Sequence, residues 1–209
     1  MARPPASYDN NVFINCPFTA DYSELFRAIV FTVADCGFTP RSALEKSDSS
    51  ETRIEKLYRI IGECRYGIHG ISVTEPDSSH HLPRFNMPLE LGIFLGARTF
   101  GARHQRDKAC LILDREKYRY QIFCSDLAGQ DHPKSHGGTP QGAVKCVRNW
   151  LRDEKLDSHL PGGERMWHRF EKLRSDLPVF CGGFQLEPDD LGFNDLTTVI
   201  EEWLRLNPV

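Results

Sequence analysis

The chain is 209 residues long and 40% hydrophobic, enough to bury a full-sized core in one body with an appendage. Its 26 basic and 29 acidic residues leave a formal charge of −3, which supplies no general attraction for phosphate backbones or anionic lipid and argues against nucleic acid as a partner. There is no run of about 18 apolar residues, and residues 1–7 lack the apolar core of a secretory signal, so a cytoplasmic protein without membrane association is expected.

The first informative stretch is Asn11-Val12-Phe13-Ile14-Asn15-Cys16-Pro17-Phe18, an apolar, β-branched run stopped by a proline, which predicts a buried strand ending in a loop. A helix follows from Asp21, with Leu25, Ala28, Ile29, Thr32 and Val33 at helical spacing and Gly37 as its stop. Residues 38–44 predict a second strand, which Pro40 makes short or places near an edge. Ile54, Leu57, Tyr58 and Ile61 line one face of a second helix, and residues 65–72 supply a third strand. This alternation favours a parallel sheet with right-handed crossovers.

Residues 74–86 form a polar loop at the end of the sheet where parallel strands expose their carboxyl termini, the usual place for ligands. Pro88 suits the first position of the next helix, whose apolar stripe is Leu89, Ile93, Phe94 and Ala97, with Gly101 beyond its end. Residues 108–114 predict a fourth strand, and 118–138 an irregular loop near the site, in which Tyr120, Asp126 and Asp131 read as closing residues or as solvated loop. Residues 141–154 are helical; beyond Pro161 lie a helix around 166–173, a connection broken by Cys181-Gly182-Gly183, and a helix over 194–206. Residues 1–160 thus read as the α/β domain and 161–209 as a helical extension packed on it, covering a sheet edge or offering a dimer surface.

Seven cysteines scattered without close pairs fit reduced thiols, and Cys16 reads as a packed thiol rather than a nucleophile. Cys124, His132 and His136, with His80 and His81, show neither Cys-x-x-Cys nor His-Glu-x-x-His spacing, so no metal site is assigned. The glycine pairs 137–138, 162–163 and 182–183 lack the Lys-Ser/Thr of a phosphate loop.

Two segments carry a family resemblance. Val12-Phe13-Ile14-Asn15-Cys16-Pro17-Phe18 resembles both the opening strand of Toll/interleukin-1 receptor (TIR) domains and the strand ending in Pro-Phe of nucleoside 2-deoxyribosyltransferases. Met87-Pro88-Leu89-Glu90-Leu91-Gly92-Ile93-Phe94-Leu95-Gly96-Ala97 is similar to the transferase helix pattern Glu-x-Gly-x-Ala followed by a Gly, and to the TIR helix carrying the glutamate of NAD-cleaving members. The resemblance spans roughly residues 11–114. It implies a flavodoxin-like parallel sheet flanked by helices, with Glu90 as the active carboxylate. It further implies NAD or another nucleotide as substrate rather than cofactor, self-association into a homo-oligomer, and a role in bacterial antiviral defence. The Asp-x-x-x-x-Gly-Thr run that precedes the transferase helix is replaced here by Leu82-Pro83-Arg84-Phe85-Asn86-Met87, which moves the expectation from base exchange to hydrolysis.

Cleavage of an N-glycosidic bond builds positive charge on the ribose, which a carboxylate beside the anomeric carbon can stabilise or attack. Glu90 near a helix N-terminus is expected to be ionised, as that role needs; its other reading is an acidic first-turn residue serving the helix dipole. Arg84 and Asn86 are placed to hold phosphate or sugar hydroxyls, or else serve loop and cap. Phe18 stacks on a base or covers the first helix. Ser72, at the end of the third strand, and Asp48, in the loop after the second, complete the candidate substrate-binding set; Arg53 flanks that loop without a catalytic assignment. Three functions follow: a nucleotide N-glycosidase, a non-catalytic nucleotide-sensing or self-assembling module, and a nucleoside 2-deoxyribosyltransferase.

Overall fold

The computed structural model describes residues 6–45, 48–76, 81–83, 85–129, 134–155 and 159–209. Five parallel strands, β1 (Asn11–Asn15), β2 (Thr39–Arg41), β3 (Tyr66–Gly70), β4 (Ala109–Asp114) and β5 (Lys134–Ser135), form one sheet in the order β2-β1-β3-β4-β5. Helices α1 (Ser23–Asp35), α2 (Arg53–Gly62), α3 (Asn86–Phe100) and α4 (Pro140–Glu154) alternate with the strands, and α5 (Gly163–Phe184) and α6 (Phe193–Leu206) follow. This is an α/β, flavodoxin-like parallel sheet flanked by helices, with C-terminal helices added. Among the described residues no helix is long and apolar enough to cross a membrane.

The period of two along each strand divides the core between the two faces. Val12 and Ile14 of β1, Tyr66 and Ile68 of β3, and Leu111 and Leu113 of β4 face α1 and α4, where they merge with Phe31, Val147, Phe170 and Trp203 into the largest cluster. Phe13 faces the opposite way, toward Leu57, Ile60 and Ile61 of α2 and Phe94 of α3. Burial of this kind stabilises by about 25 cal/mol per Å² of apolar surface. Pro40 is tolerated because β2 is an edge strand of three residues.

Several expectations change. The C-terminal helices pack on the helical layer: Met166, Phe170 and Leu173 of α5 and Leu196, Ile200 and Trp203 of α6 extend the α1/α4 core, and the pair Arg169–Asp35 at 2.8 Å ties α5 to α1. Helix α5 runs through Pro178 and Gly182-Gly183, which read in sequence as breaks. The buried stripe Met166, Phe170, Leu173, Leu177 and Cys181 sustains it, tertiary packing outweighing the roughly 3 kcal/mol that an internal proline costs. Pro88 lies third in α3 rather than first, and Leu89 and Tyr58 are exposed rather than parts of apolar stripes. Tyr120, expected in a loop over the ligand, is fully buried against Ile71, Met87 and Leu91 beneath α3.

Candidate active site

In this strand order the chain leaves β1 toward one edge and returns to β3 on the other side. The carboxyl ends of β1 and β3 therefore diverge into a crevice, the switch point where open parallel sheets bind ligands. A cleft of about 570 Å³ occupies it, lined from β1 by Phe18, Asp21 and Tyr22, from β3 by Val73 and Glu75, and at its far wall by Arg53, Asn86 and Met87. Beside it, between α2 and α3, lies a recess of about 140 Å³ bounded by Arg53, Ile54, Leu57, Asn86, Leu89 and Glu90. Arg53 and Asn86 line both spaces, so they form the border between them.

Local chemistry holds each border residue in place. A reciprocal capping box, in which Thr52 Oγ1 accepts from the Glu55 amide and Glu55 Oε2 accepts from the Thr52 amide, starts α2 and sets Arg53 as its first helical residue. Helix α3 starts without a side-chain cap, Phe85 being its N-cap residue. It is anchored instead from the sheet: Asn15 Nδ2 donates to the Met87 carbonyl at 2.9 Å and to His69 Nδ1 at 3.0 Å. Asn15 and His69 are register partners in β1 and β3, so this amide ties the first turn of α3 to both strands. The Met87 carbonyl can only accept, which fixes the amide orientation; His69 Nδ1 then accepts too and its proton sits on Nε2. Burial pushes His69 down to about 3, so the ring is neutral. Phe94 packs edge-on against it at 5.0 Å.

Glu90 is the fifth residue of α3 rather than the third, beyond its first turn, and is only 3% exposed. The dipole's influence fades beyond the first turn. Burial dominates and pushes the carboxyl up to about 7, with the Arg53 guanidinium pulling weakly the other way. The expectation of a plainly ionised carboxylate is thereby corrected: at neutral pH Glu90 populates both forms. Glu90 and Met87 are both buried residues of α3, and Glu90 lines the recess.

A second polar group joins the chain just past β3, at Ser72, to the chain just past β5, at His136. The Gly138 amide donates to His136 Nδ1 at 3.0 Å, so the neutral ring carries its proton on Nε2, which lies 2.8 Å from Ser72 Oγ. Burial holds His136 down at about 4. A ring that donates to a hydroxyl cannot deprotonate it, so Ser72 and His136 are not a nucleophile and base. The Tyr22 hydroxyl and Cys16 sulfur converge on Gly70, where an added Cβ would lie 2.8 and 2.9 Å from them. Cys16 is fully buried and pushed up to about 12, first by desolvation, so it stays a thiol. Arg119 closes the layer: it pairs with Asp114 at 2.8 Å and donates to the Ser72 carbonyl at 2.7 Å and Thr74 Oγ1 at 2.6 Å, clamping the chain as it leaves β3.

The candidate residues are thus divided. Phe18, Asn86 and Glu90 meet at the cleft and recess, and Phe18 also packs edge-on against Phe26 of α1 at 5.5 Å. Ser72 is buried and engaged by His136. Asp48 accepts from the Ser50 amide and hydroxyl, shaping the turn before α2 outside the cleft lining. Arg84, Asp131, His80 and His132 lie outside the described residues. Among the described residues no group of three or more His, Cys, Asp or Glu is arranged to hold a metal ion. Tyr22 and Glu75 were not singled out by sequence, and Arg53 was given no catalytic part; the usable signal was position alone, immediately after β1, after β3 and at a capped helix start. No family model matches the chain, and neither a curated protein nor a solved structure does.

Proposed function

We propose that this chain is a nucleotide N-glycosidase, related to the TIR and nucleoside 2-deoxyribosyltransferase group, in which Glu90 acts on the scissile bond. One observation carries the reading: a carboxyl group shielded from solvent and poised near neutral pH lines a recess that shares Arg53 and Asn86 with a 570 Å³ cleft at the switch point of a parallel sheet. Arg53 makes no ion pair among the described residues, so its guanidinium is available to a substrate phosphate. Asn86, with no hydrogen bond of its own there, can serve a sugar hydroxyl.

Both protonation states of Glu90 have work in such a reaction. The ionised form stabilises positive charge at the anomeric carbon, and the protonated form donates to a departing base. Neutralising Arg53 with a phosphate removes the charge that favours ionisation, so substrate binding shifts Glu90 toward the acid form. The test is to incubate purified protein with NAD, NADP and ribo- and deoxynucleotides and separate the products by chromatography. Release of base by wild type and a loss of at least about 100-fold in Glu90→Gln is the expected result; release unaffected by that substitution refutes the role of Glu90.

A second reading, binding without turnover, draws support from the recess containing no second carboxylate among its described residues. It predicts calorimetric nucleotide binding with no base released. Base exchange into a deoxynucleoside, followed with labelled free base, tests the transferase reading.

A further inference from the structure

Helix α4 begins just past the carboxyl end of β5, and its last turns lie at the opposite end of the sheet. Trp150 packs edge-on against Tyr66, the first residue of β3, with ring centroids 6.0 Å apart, and Lys155 Nζ sits 5.2 Å from the ring of Phe38, just ahead of β2. Arg148 and Arg152 of α4, His159 and Pro161 of the connection, and Arg165 of α5 line an open depression there, and no Asp or Glu side chain among the described residues does. Arg148 donates to the Pro161 carbonyl at 2.6 Å and to the Leu160 carbonyl at 2.9 Å, which ties the connection to α4 but leaves the charge uncompensated. Arg152 and Arg165 are exposed and make no ion pair or side-chain hydrogen bond among the described residues. Carboxylates are not scarce: the chain carries −3 overall, and eight other arginines are paired with one.

Two physical costs mark the arrangement. Arg148 and Arg152 are four residues apart on one helix, a spacing at which like charges repel. Arg165 is the third residue of α5, in a first turn whose dipole disfavours cations and whose N-cap residue, Gly162, supplies no side-chain cap. Glu164, the acidic residue of that turn, is engaged by Lys145 and Gln141 of α4 and does not line the depression. A bound anion relieves both costs.

We propose that this depression binds a small polyphosphate, an anion with at least two linked phosphoryl groups, at a site separate from the cleft beside Glu90. Guanidinium forks match phosphoryl oxygens two at a time. The two α4 arginines have their Cβ atoms about 5–6 Å apart and Arg165 comes from a second helix, so the three charges are spread over more than one phosphoryl group. The His159 ring adds a donor. A nucleic acid backbone needs a basic track across a face, which a chain of net charge −3 with one such cluster does not supply. The site stands on these charges alone and does not depend on what Glu90 does.

The test titrates tripolyphosphate and inorganic phosphate by calorimetry, without divalent cations, against wild type, the double variant Arg152→Ala/Arg165→Ala, and Arg53→Ala. Arg152 and Arg165 are exposed and Arg148 stays in place to hold the connection, so the core is spared, and circular dichroism verifies the fold. Wild type and Arg53→Ala are expected to bind tripolyphosphate alike and at least about tenfold tighter than phosphate, and the double variant to lose at least about tenfold. No binding of tripolyphosphate by wild type, or equal binding by the double variant, overturns the site. Binding lost in Arg53→Ala but kept in the double variant places the anion in the cleft and overturns the site equally. A single-stranded oligonucleotide that binds more tightly than tripolyphosphate, and is released by the same two substitutions, overturns the assignment to a small polyphosphate. None of these readouts involves release of a base, so their failure leaves the N-glycosidase reading standing, and failure of that reading leaves this site standing.

Discussion

Glu90 makes a prediction about stability that does not depend on identifying a substrate. Folding moves its carboxyl from 4.5 to about 7, chiefly by desolvation. The native state therefore retains a proton that the unfolded chain has released, and stability falls as pH rises from about 4.5 to about 7, then levels off. At 1.36 kcal/mol per pKa unit, the full penalty above pH 7 is about 3 kcal/mol. Glu90→Gln keeps the size and polarity of the protonated side chain but is neutral at every pH. The variant is expected to match wild type within about 1 kcal/mol at pH 4.5 and to be more stable by about 3 kcal/mol at pH 8. For a chain of this length that corresponds to a Tm increase of roughly 6–12 °C. Urea and thermal denaturation followed by circular dichroism at half-unit pH intervals measure the difference, in which every other titrating group cancels. A difference that does not change between pH 4.5 and 8, or a Gln variant less stable at pH 8, refutes the view that Glu90 is held against its solvation preference.

Three further outcomes follow from the same layer of polar groups. Arg119→Ala strands the buried Asp114 carboxylate and frees the chain leaving β3, so it is expected to lower the urea-denaturation free energy by about 3–5 kcal/mol; a loss below about 1 kcal/mol would show that water replaces the pair. Gly70→Ala places a methyl within 3 Å of the Tyr22 hydroxyl and the Cys16 sulfur, with an expected cost of about 1–3 kcal/mol by the same assay, and a neutral result would mean that the floor of the cleft yields easily. His136 is held down at about 4 in the folded state against an ordinary 6.5, so the unfolded chain binds the extra proton between these values. Its contribution is complete above pH 6.5 and fades as pH falls toward 4; His136→Gln should flatten the stability profile in that window, and an unchanged slope would contradict the buried neutral ring.

Burying a carboxyl costs stability, and so do the buried atoms Asn15 Oδ1 and His69 Nε2, which find no hydrogen-bond partner among the described residues. Such concentrations of unfavourable polar burial mark functional sites more often than structural ones, because nothing in packing alone retains them. The same region has little room to relax: a Cβ at Gly67 would lie 2.7 Å from His69 Nε2 and 2.8 Å from Phe94.

Sequence alone determined the class of the fold and where the carboxyl ends of its strands open. Apolar runs such as 11–15 and 109–114, alternating with stripes of helical period, encode which faces are buried, and a parallel order follows from the crossovers they require. The same local signals located Glu90 on the helix after the third strand. They misread residues 178–183 as a break, because proline and glycine propensities are local whereas the stripe from Met166 to Cys181 is sustained by distant helices. They also misread the state of Glu90: proximity to a helix start suggests an ionised carboxylate, but desolvation is a property of everything packed around it. Only the tertiary structure brought Arg53 of α2 and Asn86 of α3 to a common border, enclosed Tyr120 in the core, and set the Ser72 hydroxyl against a histidine 64 residues away. Contacts of that separation depend on crossover geometry and volume, neither of which any short segment contains.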